Sequence, residues 1–291
     1  MRAGGERSLT LALLAIADRT LEIATDDPLV DAYLTRAYAR LLTTDAAARA
    51  RADAFDAARI DTTPSDAADV RLRAAITGSA ALCAQAFRAS QRFRALYCTT
   101  VTHGDATVAL AGPRGCGKTT LALALLRRGW RTLGDEFALL ERGTPLAHPF
   151  PLAFSVREPA LAALRDPALD AACAATPFVL EGDGVRAFHG IDVEAVYGPG
   201  TFAPARPITH LVLIGPARQV AAIEALPSSV AALELLPHLF VARFSADDMW
   251  EMLEWFARVD CSRLRAPGPH EAADAIASLI ETKTCTSTPA R

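Results

Sequence analysis

Four polar side chains are spaced so that together they could bind a nucleotide and act on its phosphates. Residues 112–119 read GPRGCGKT and match the phosphate-binding pattern G-x-x-x-x-G-K-[ST]. Glycines in such a loop let backbone N–H groups turn towards phosphate oxygens. Lys118 would reach the β- and γ-phosphates, and the Thr119 hydroxyl would coordinate Mg²⁺. Asp135 and Glu136 follow closely and supply two carboxylates, which can hold Mg²⁺ or accept a proton from a nucleophile.

These residue types predict a separate role for each residue within one site. Lys118 would offset the charge on the β- and γ-phosphates, so the predicted catalytic residues are Lys118, Asp135 and Glu136. Asp135 would take the proton of a hydroxyl or share a Mg²⁺ ion with Thr119, and Glu136 would support it. The alternative explanation is that Asp135 and Glu136 form an ordinary acidic turn. The pair lies only one short helix after the phosphate loop, which argues against this alternative. The predicted nucleotide-binding residues are Gly112, Pro113, Arg114, Gly115, Cys116, Gly117, Lys118, Thr119 and Thr120.

The flanking segments have the composition of a strand and a helix on either side of this loop. Residues 107–111 (TVALA) are apolar and partly β-branched, which is typical of a buried strand. Residues 119–128 (TTLALALLRR) are rich in Leu and Ala and stop before Gly129, which indicates a helix and its C-cap. Two short strands are then predicted at 130–134 and 137–140, on either side of the acidic pair. The loop therefore lies at a helix N-terminus, where partial positive charge favours phosphate.

Residues 103–140, HGDATVALAGPRGCGKTTLALALLRRGWRTLGDEFALL, resemble the core of the HPr kinase/phosphorylase family, and more closely its kinase-like relatives. In that family a P-loop, one helix, a GxxLxSDD-type strand and an acidic pair follow one another at this spacing. The resemblance is good over residues 94–160. Residues 149–158 also resemble the relatives' PFPxxxxLKE segment, and residues 192–214 resemble a later portion with an apolar strand.

The resemblance implies an α/β fold, a P-loop kinase core with a mixed, partly antiparallel sheet flanked by helices. It implies ATP- and Mg²⁺-dependent transfer of the γ-phosphoryl group to a serine hydroxyl of a peptide or small protein. A precursor of a ribosomally made peptide, such as a lasso peptide, and an HPr-like carrier are both credible acceptors. Members of the family are oligomers, so a homo-oligomer is also expected, with the helix that carries Trp250 and Trp255 as a candidate contact.

Arg157 and Glu158 stand where the family tends to have Lys-Glu. A cation at this place could steady the transferring phosphoryl group, and a carboxylate could hold Mg²⁺ or the substrate. A surface ion pair in front of a helix is an equally good explanation of the two residues.

The sequence departs from the family pattern at three places. The acidic pair is Asp-Glu, where bifunctional members have Asp-Asp. Tyr97 stands where members commonly carry a His, and His103 falls nearer the P-loop. The nearest counterpart of the downstream glycine-rich signature of bifunctional members is residues 197–200 (YGPG). The resemblance therefore extends to the kinase reaction more than to the reverse phosphorolysis.

Two other classes of function remain open at this point. A small-molecule kinase, for a free amino acid or a sugar, would have a narrow, charged acceptor pocket, whereas a peptide kinase would have an open groove. A nucleotide-binding regulatory protein with weak hydrolysis would turn over ATP without acceleration by any acceptor. The departures at Tyr97 and Glu136 keep this second class open.

Composition excludes several partners. The chain has 291 residues, of which 51% are hydrophobic and 22% charged, as in a globular protein, and its formal charge of −3 gives no electrostatic case for nucleic acid. No stretch approaches the roughly 20 apolar residues of a membrane span. The apolar run at 9–17 could be a signal peptide, but we expect a core strand or helix. Six unpaired cysteines, one inside the phosphate loop, and the use of ATP predict a cytoplasmic protein.

The remaining patterns predict three regions. Residues 1–95 are predicted to form a small, mostly helical N-terminal region, residues 96–281 the P-loop catalytic domain, and residues 282–291 a disordered tail. Within them, helices are predicted to start at Asp27-Pro28 and at Ser245 with Asp248, from their capping residues.

Further elements follow from periodicity and turn residues. Residues 80–96 and 271–280 have the pattern of helices, and residues 228–240 that of a helix interrupted at Pro237. Residues 210–215 predict a buried strand, and residues 165–205 are rich in turn residues and predict a loop. His189 and Asp192 within that loop could form a catalytic pair, although a chance loop histidine is the simpler explanation.

Overall fold

The computed structural model describes residues 10–44, 57–63, 66–240 and 245–286. In this part of the chain there are 17 strands and nine α-helices. The strands are β1 Thr10–Ile16, β2 Arg19–Thr25, β3 Ala57–Arg59, β4 Phe93–Tyr97, β5 Thr99–His103, β6 Ala106–Ala111, β7 Arg131–Gly134, β8 Phe137–Glu141, β9 Leu146–His148, β10 Phe154–Arg157, β11 Val179–Gly182, β12 Val185–Ile191, β13 Arg206–Pro207, β14 His210–Ile214, β15 Ala222–Ala225, β16 Leu239–Phe240 and β17 Asp260–Arg265. The helices are α1 Pro28–Ala37, α2 Ala68–Ala89, α3 Lys118–Leu126, α4 Glu158–Leu164, α5 Pro167–Ala175, α6 Val193–Tyr197, α7 Ser228–Leu235, α8 Ala246–Arg258 and α9 Pro269–Thr286.

A six-stranded mixed sheet, in the order β15-β17-β14-β6-β5-β7, carries the phosphate loop. Its three central strands β17, β14 and β6 are parallel, and its outer pairings are antiparallel. Side chains alternate between the two faces of β6, as in any strand. Val108 and Leu110 pack with helices α3 and α9 on one face, whereas Ala109 and Ala111 pack with α7 and α8 on the other. The predicted α/β fold, with a mixed sheet flanked by helices, is confirmed.

A second, antiparallel sheet in the order β13-β9-β8-β4-β16 lies beside the first. The chain passes from β7 of the first sheet directly into β8 of the second, and Asp135 and Glu136 form this crossing. The backbone N–H of Cys98, between β4 and β5, donates to the carbonyl oxygen of Glu136 at 3.0 Å and ties the second crossing to the first. The acidic pair is therefore fixed at the junction of two sheets.

The N-terminal region is a small α+β unit, where a mostly helical one was predicted. β1 and β2 pair residue by residue around Ala17-Asp18, and Ala17 adopts a left-handed φ of 57°. This turn contains no glycine, asparagine or proline, so the sequence carries no hairpin signal. Helices α1 and α2 pack on the hairpin and share one core with Phe137 and Phe150 of the catalytic region.

The predicted boundary at residue 95 falls within a strand. Helix α2 ends at Ala89, and residues 93–97 leave the predicted 80–96 helix to form β4. Phe93 and Ala95 face the core shared with α2, whereas Leu96 faces the opposite core. β4 is therefore an inner strand of the second sheet, and the proposed boundary cuts through it.

Two other expectations need correction. Residues 165–205 contain α5, β11, β12 and α6, where a loop was predicted, because the turn residues only separate short elements. The side chain of Asp166 caps α5 by accepting from the backbone N–H groups of Ala168 and Leu169. Helix α9 continues to Thr286 through the first half of the predicted disordered tail, and residues 287–291 lie outside the described part of the chain.

Several local predictions are confirmed. Asp27 caps α1, with Pro28 at its first position, and Ser245 with Asp248 forms the capping box of α8. A short 3₁₀ helix follows α7 at Leu236–His238, as the predicted interruption requires. Within the described residues, none of the helices has the length and apolar character needed to cross a membrane.

Candidate active site

The phosphate-binding motif forms the turn between β6 and α3. Gly112, Gly115 and Gly117 have φ values of 145°, 83° and 98°, a region that side chains disfavour. A Cβ on Gly112 would lie 3.0 Å from the Cys116 sulfur and 3.1 Å from the carbonyl oxygen of Ile214. The left-handed φ values therefore favour glycine at all three places, of which the motif itself requires Gly112 and Gly117.

Lys118 is folded over the inside of this loop. Its side chain is buried at 6% exposure, and Nζ donates to the carbonyl oxygens of Gly112 at 2.9 Å and Pro113 at 3.1 Å. Nζ also lies 4.9 Å from the centre of the Tyr97 ring, within range of a cation–π interaction. These contacts hold the ammonium group at the mouth of the loop, where phosphate oxygens can replace the carbonyls.

Asp135 is buried at 4% exposure, and hydroxyl groups donate to both of its carboxylate oxygens. The Thr119 hydroxyl donates to Oδ2 at 2.8 Å, and the Thr99 hydroxyl donates to Oδ1. Burial raises the pKa of Asp135, and the hydrogen bonds from Thr99 and Thr119 oppose that effect. The structure thus brings together Thr119 and Asp135, which are 16 residues apart in the chain.

The Thr119 and Asp135 oxygens fit two neighbouring positions around Mg²⁺. With ligands about 2.0–2.1 Å from the ion, adjacent oxygens of an octahedral site lie about 2.9 Å apart. The two oxygens are 2.8 Å apart. Across the described residues, no three His, Cys, Asp or Glu side chains form a metal-binding group. A Mg²⁺ ion here would thus be completed by nucleotide oxygens and water, its usual ligands in nucleotide sites.

Glu136 differs from its neighbour in both backbone and electrostatics. Its φ of 73° is left-handed, and this turn takes the chain from β7 into β8. Burial and the nearby charge of Asp135 raise the pKa of Glu136 to about 7, against the opposing effects of Arg114 and Lys118. The hydrogen bonds formed by the described residues include none to its carboxylate. Glu136 can therefore gain or lose a proton near neutral pH.

Gly134 sets the position of the pair. Its φ is 152°, and an added Cβ would clash with the carbonyl oxygen of Phe150. The Phe150 N–H also donates to the carbonyl of Leu133 at 2.7 Å. The backbones are thus too close for any other residue immediately before Asp135.

A narrow pocket opens beside the acidic pair, with a volume of about 50 Å³. Helices α1 and α2 of the N-terminal region form one side of it. No sequence motif connects these helices with the acidic pair, so their closeness to it was not predicted. The polar residues that line the pocket are Tyr33, Tyr38, Cys83, Asp135, Glu136 and Ser155.

Tyr97 has a histidine beside it in space. The His238 ring stacks on Tyr97 with centroids 6.1 Å apart and an interplanar angle of 24°. Burial and the charge of Lys118 lower the pKa of His238. His238 reaches the loop from the 3₁₀ helix after α7, and no sequence signal predicted it. His103 instead stacks on Trp130, with centroids 5.0 Å apart.

Arg157 and Glu158 are exposed at the end of β10 and the start of α4. No hydrogen bond or ion pair in the described part of the chain joins either residue to the phosphate loop, to the acidic pair or to the other. Glu158 lines a second cleft together with Asp170 and Arg186. Their predicted roles in the site stay predictions.

His189 and Asp192 do not pair. His189 Nδ1 lies 2.9 Å from the Ser155 hydroxyl, and burial, followed by the charge of Arg157, lowers the pKa of His189 to about 4. Asp192 instead caps α6 by accepting from the Glu194 N–H at 3.0 Å. The predicted catalytic pair is therefore not formed, and His189 lies in β12, where a loop histidine was the simpler expectation.

Comparisons with known proteins show a distant likeness among solved structures only. The sequence matches no protein-family model and no curated protein sequence. Among solved structures, the chain is similar to the HPr(Ser) kinase/phosphatase from Coxiella burnetii, at 12% identity and a TM-score of 0.36. That match covers 66% of this chain and 97% of the other. The chemistry assigned to the site depends on the geometry described above.

Proposed function

We propose that this protein is an ATP- and Mg²⁺-dependent kinase that transfers the γ-phosphoryl group to a hydroxyl, the expected acceptor being a serine of a peptide or small protein. The supporting observation is that Thr119 and Asp135 meet at 2.8 Å beside the loop that holds Lys118. A phosphate loop alone supports only nucleotide binding. The second carboxylate, Glu136, adds a proton acceptor next to the place where the γ-phosphate would lie.

The chain's own groups can divide the work as follows. Backbone N–H groups of residues 112–119 and the N-terminus of α3 would hold the phosphates, and Lys118 would leave the loop carbonyls for β- and γ-oxygens. Thr119 and Asp135 would hold Mg²⁺. When bound there, the ion would neutralise charge that develops on the transferred group and on the leaving ADP.

Glu136 is the better proton acceptor of the two carboxylates. Both oxygens of Asp135 already accept hydroxyl hydrogen bonds, and one of them adjoins Thr119. Glu136 lines the pocket, and its pKa of about 7 suits a general base at neutral pH. The acceptor oxygen would bond to the γ-phosphorus while the bond from phosphorus to the β,γ-bridging oxygen breaks. ADP would leave with that electron pair, and the hydroxyl proton would pass to Glu136.

The proposal is tested by mass spectrometry of phosphoryl transfer. The full chain, ATP and Mg²⁺ are mixed with the peptides and small proteins encoded next to its gene. We expect one added phosphate on a serine, absent in Lys118→Ala and in Glu136→Gln. Glu181→Gln, which removes a carboxylate at 80% side-chain exposure, is the matched control and should retain transfer. Undiminished transfer in Glu136→Gln would refute its role as the base, and no transfer to any acceptor despite ATP binding would refute a peptide kinase.

A further inference from the structure

The pocket beside the acidic pair is built jointly by the two parts of the chain. Tyr33 and Ala37 of α1 and Ile76 and Ala80 of α2 line it together with Glu136. We infer that this pocket is the acceptor site, and that it admits a slender, uncharged chain ending in a primary hydroxyl, such as a serine side chain. The inference rests on the proposed kinase function and gives the N-terminal region a role in choosing the substrate.

Side chains of both helices lie close enough to Glu136 for its charge to affect their pKa values. Burial raises the pKa of the Tyr33 phenol, and the negative charge of Glu136 raises it further. Burial likewise raises the pKa of the Cys83 thiol, again with a contribution from Glu136. Both groups therefore stay neutral, and neither adds a negative charge to the two carboxylates that line the pocket.

The lining also restricts the charge of the acceptor. Besides the acidic pair, the lining includes the aliphatic residues Ala37, Ile76, Leu152 and Ala153. Neither lysine nor arginine is among the described residues that line it. Within this lining an anionic acceptor would meet two carboxylates and no cation, since Arg114 and Lys118 act on Glu136 from outside the lining, and this costs binding energy. These features favour an uncharged group over a sugar phosphate or a free amino acid.

The size of the pocket sets a second limit. A cavity needs roughly 10–15 Å³ to hold one water molecule, so about 50 Å³ accommodates a few water-sized groups. The methylene and hydroxyl groups of serine meet this limit, whereas the phenol ring of tyrosine is larger than this volume. Ala80 is exposed and also lines the pocket, which places it at the opening.

The test uses binding, so that it is independent of phosphoryl transfer. The chain has four tyrosines, and [¹³C]tyrosine labelling of the full chain gives each a separate NMR signal. N-acetylserinamide is titrated to millimolar concentration with ADP and Mg²⁺ present. We expect shifts at Tyr33 and Tyr38, no shift at Tyr197, and no response to N-acetyltyrosinamide. An absent response to the serine probe, or an equal response to both probes, would overturn the inference.

Two alanines of α2 give a matched pair of variants. Ala80→Leu should narrow the opening and weaken binding of N-acetylserinamide at least tenfold, as expected for added bulk in an apolar pocket. Ala81 is the next residue, exposed and outside the pocket lining, so Ala81→Leu should change nothing. Affinity for ATP should be the same in both variants. Equal binding of the serine probe in both variants would contradict the assignment.

A variant that widens the pocket should admit a larger acceptor. Ile76→Ala should raise binding of N-acetylthreoninamide relative to the serine probe by about tenfold, the effect of relieving one methyl group. An unchanged preference would refute size selection. If the tyrosine signals shift but no acceptor is phosphorylated, the kinase proposal fails, whereas binding of the serine probe in the pocket is confirmed. Serine phosphorylation with unperturbed tyrosines would refute the pocket assignment alone.

Discussion

Replacing Glu136 with glutamine should make the protein more stable and less active at the same time. Burial and the charge of Asp135 raise the pKa of Glu136 from 4.5 to about 7. At 1.36 kcal/mol for each pH unit, this corresponds to about 3 kcal/mol. The Glu136 carboxylate therefore binds a proton more tightly in the folded chain than in the unfolded chain. Glu136 therefore lowers the free energy of unfolding as pH rises from about 4.5 to about 7, and glutamine removes that loss.

Activity should show the complementary dependence on pH. A base with a pKa of about 7 is about one-tenth ionised at pH 6 and about nine-tenths ionised at pH 8, so kcat/KM should rise about tenfold between them. In Glu136→Gln this rise should vanish, together with at least about 100-fold of the rate, which is typical of a lost general base.

The assay is urea unfolding followed by tryptophan fluorescence at pH 4.5 and pH 8, beside kinase assays at pH 6 and 8. Relative to wild type, Glu136→Gln should gain up to about 3 kcal/mol at pH 8 compared with pH 4.5. Glu181→Gln, at an exposed position, should follow wild type throughout. A stability difference between wild type and Glu136→Gln that does not change with pH would refute the raised pKa of Glu136 at this junction.

Three other outcomes follow from the same geometry. Asp135→Asn should keep ATP binding in calorimetry but lose Mg²⁺-dependent transfer, and retained transfer would show that its oxygens are dispensable. Gly134→Ala should destabilise the fold by about 1–3 kcal/mol in urea unfolding, because its φ of 152° and the Phe150 carbonyl leave no room for a Cβ; unchanged stability would contradict that close approach. Trp250 on α8 is 67% exposed, and if it joins copies of the chain as proposed, Trp250→Glu should lower the mass measured by light scattering, whereas an unchanged oligomer would exclude that contact.

Much of the fold near the loop was predictable, because it depends on short-range patterns. The strand before the motif, the helix after it and the caps at Asp27 and Ser245 all follow from neighbouring residues. The hairpin β1–β2 was not predictable, since an alanine occupies the left-handed position of its turn at residue 17, where glycine or asparagine is usual. β4 was mistaken for helix because its partners, β8 and β16, lie far along the chain.

The sequence by itself determined the chemical groups of the site: the glycine loop, Lys118, Thr119 and two adjacent carboxylates. Only the tertiary structure decided how the carboxylates differ. Asp135 is held by Thr99 and Thr119, whereas Glu136 is left half-buried with a raised pKa. It also decided that α1 and α2 close the pocket. A motif is a local pattern of backbone and side chains, but burial, charge and enclosure depend on residues that meet only after the chain has folded.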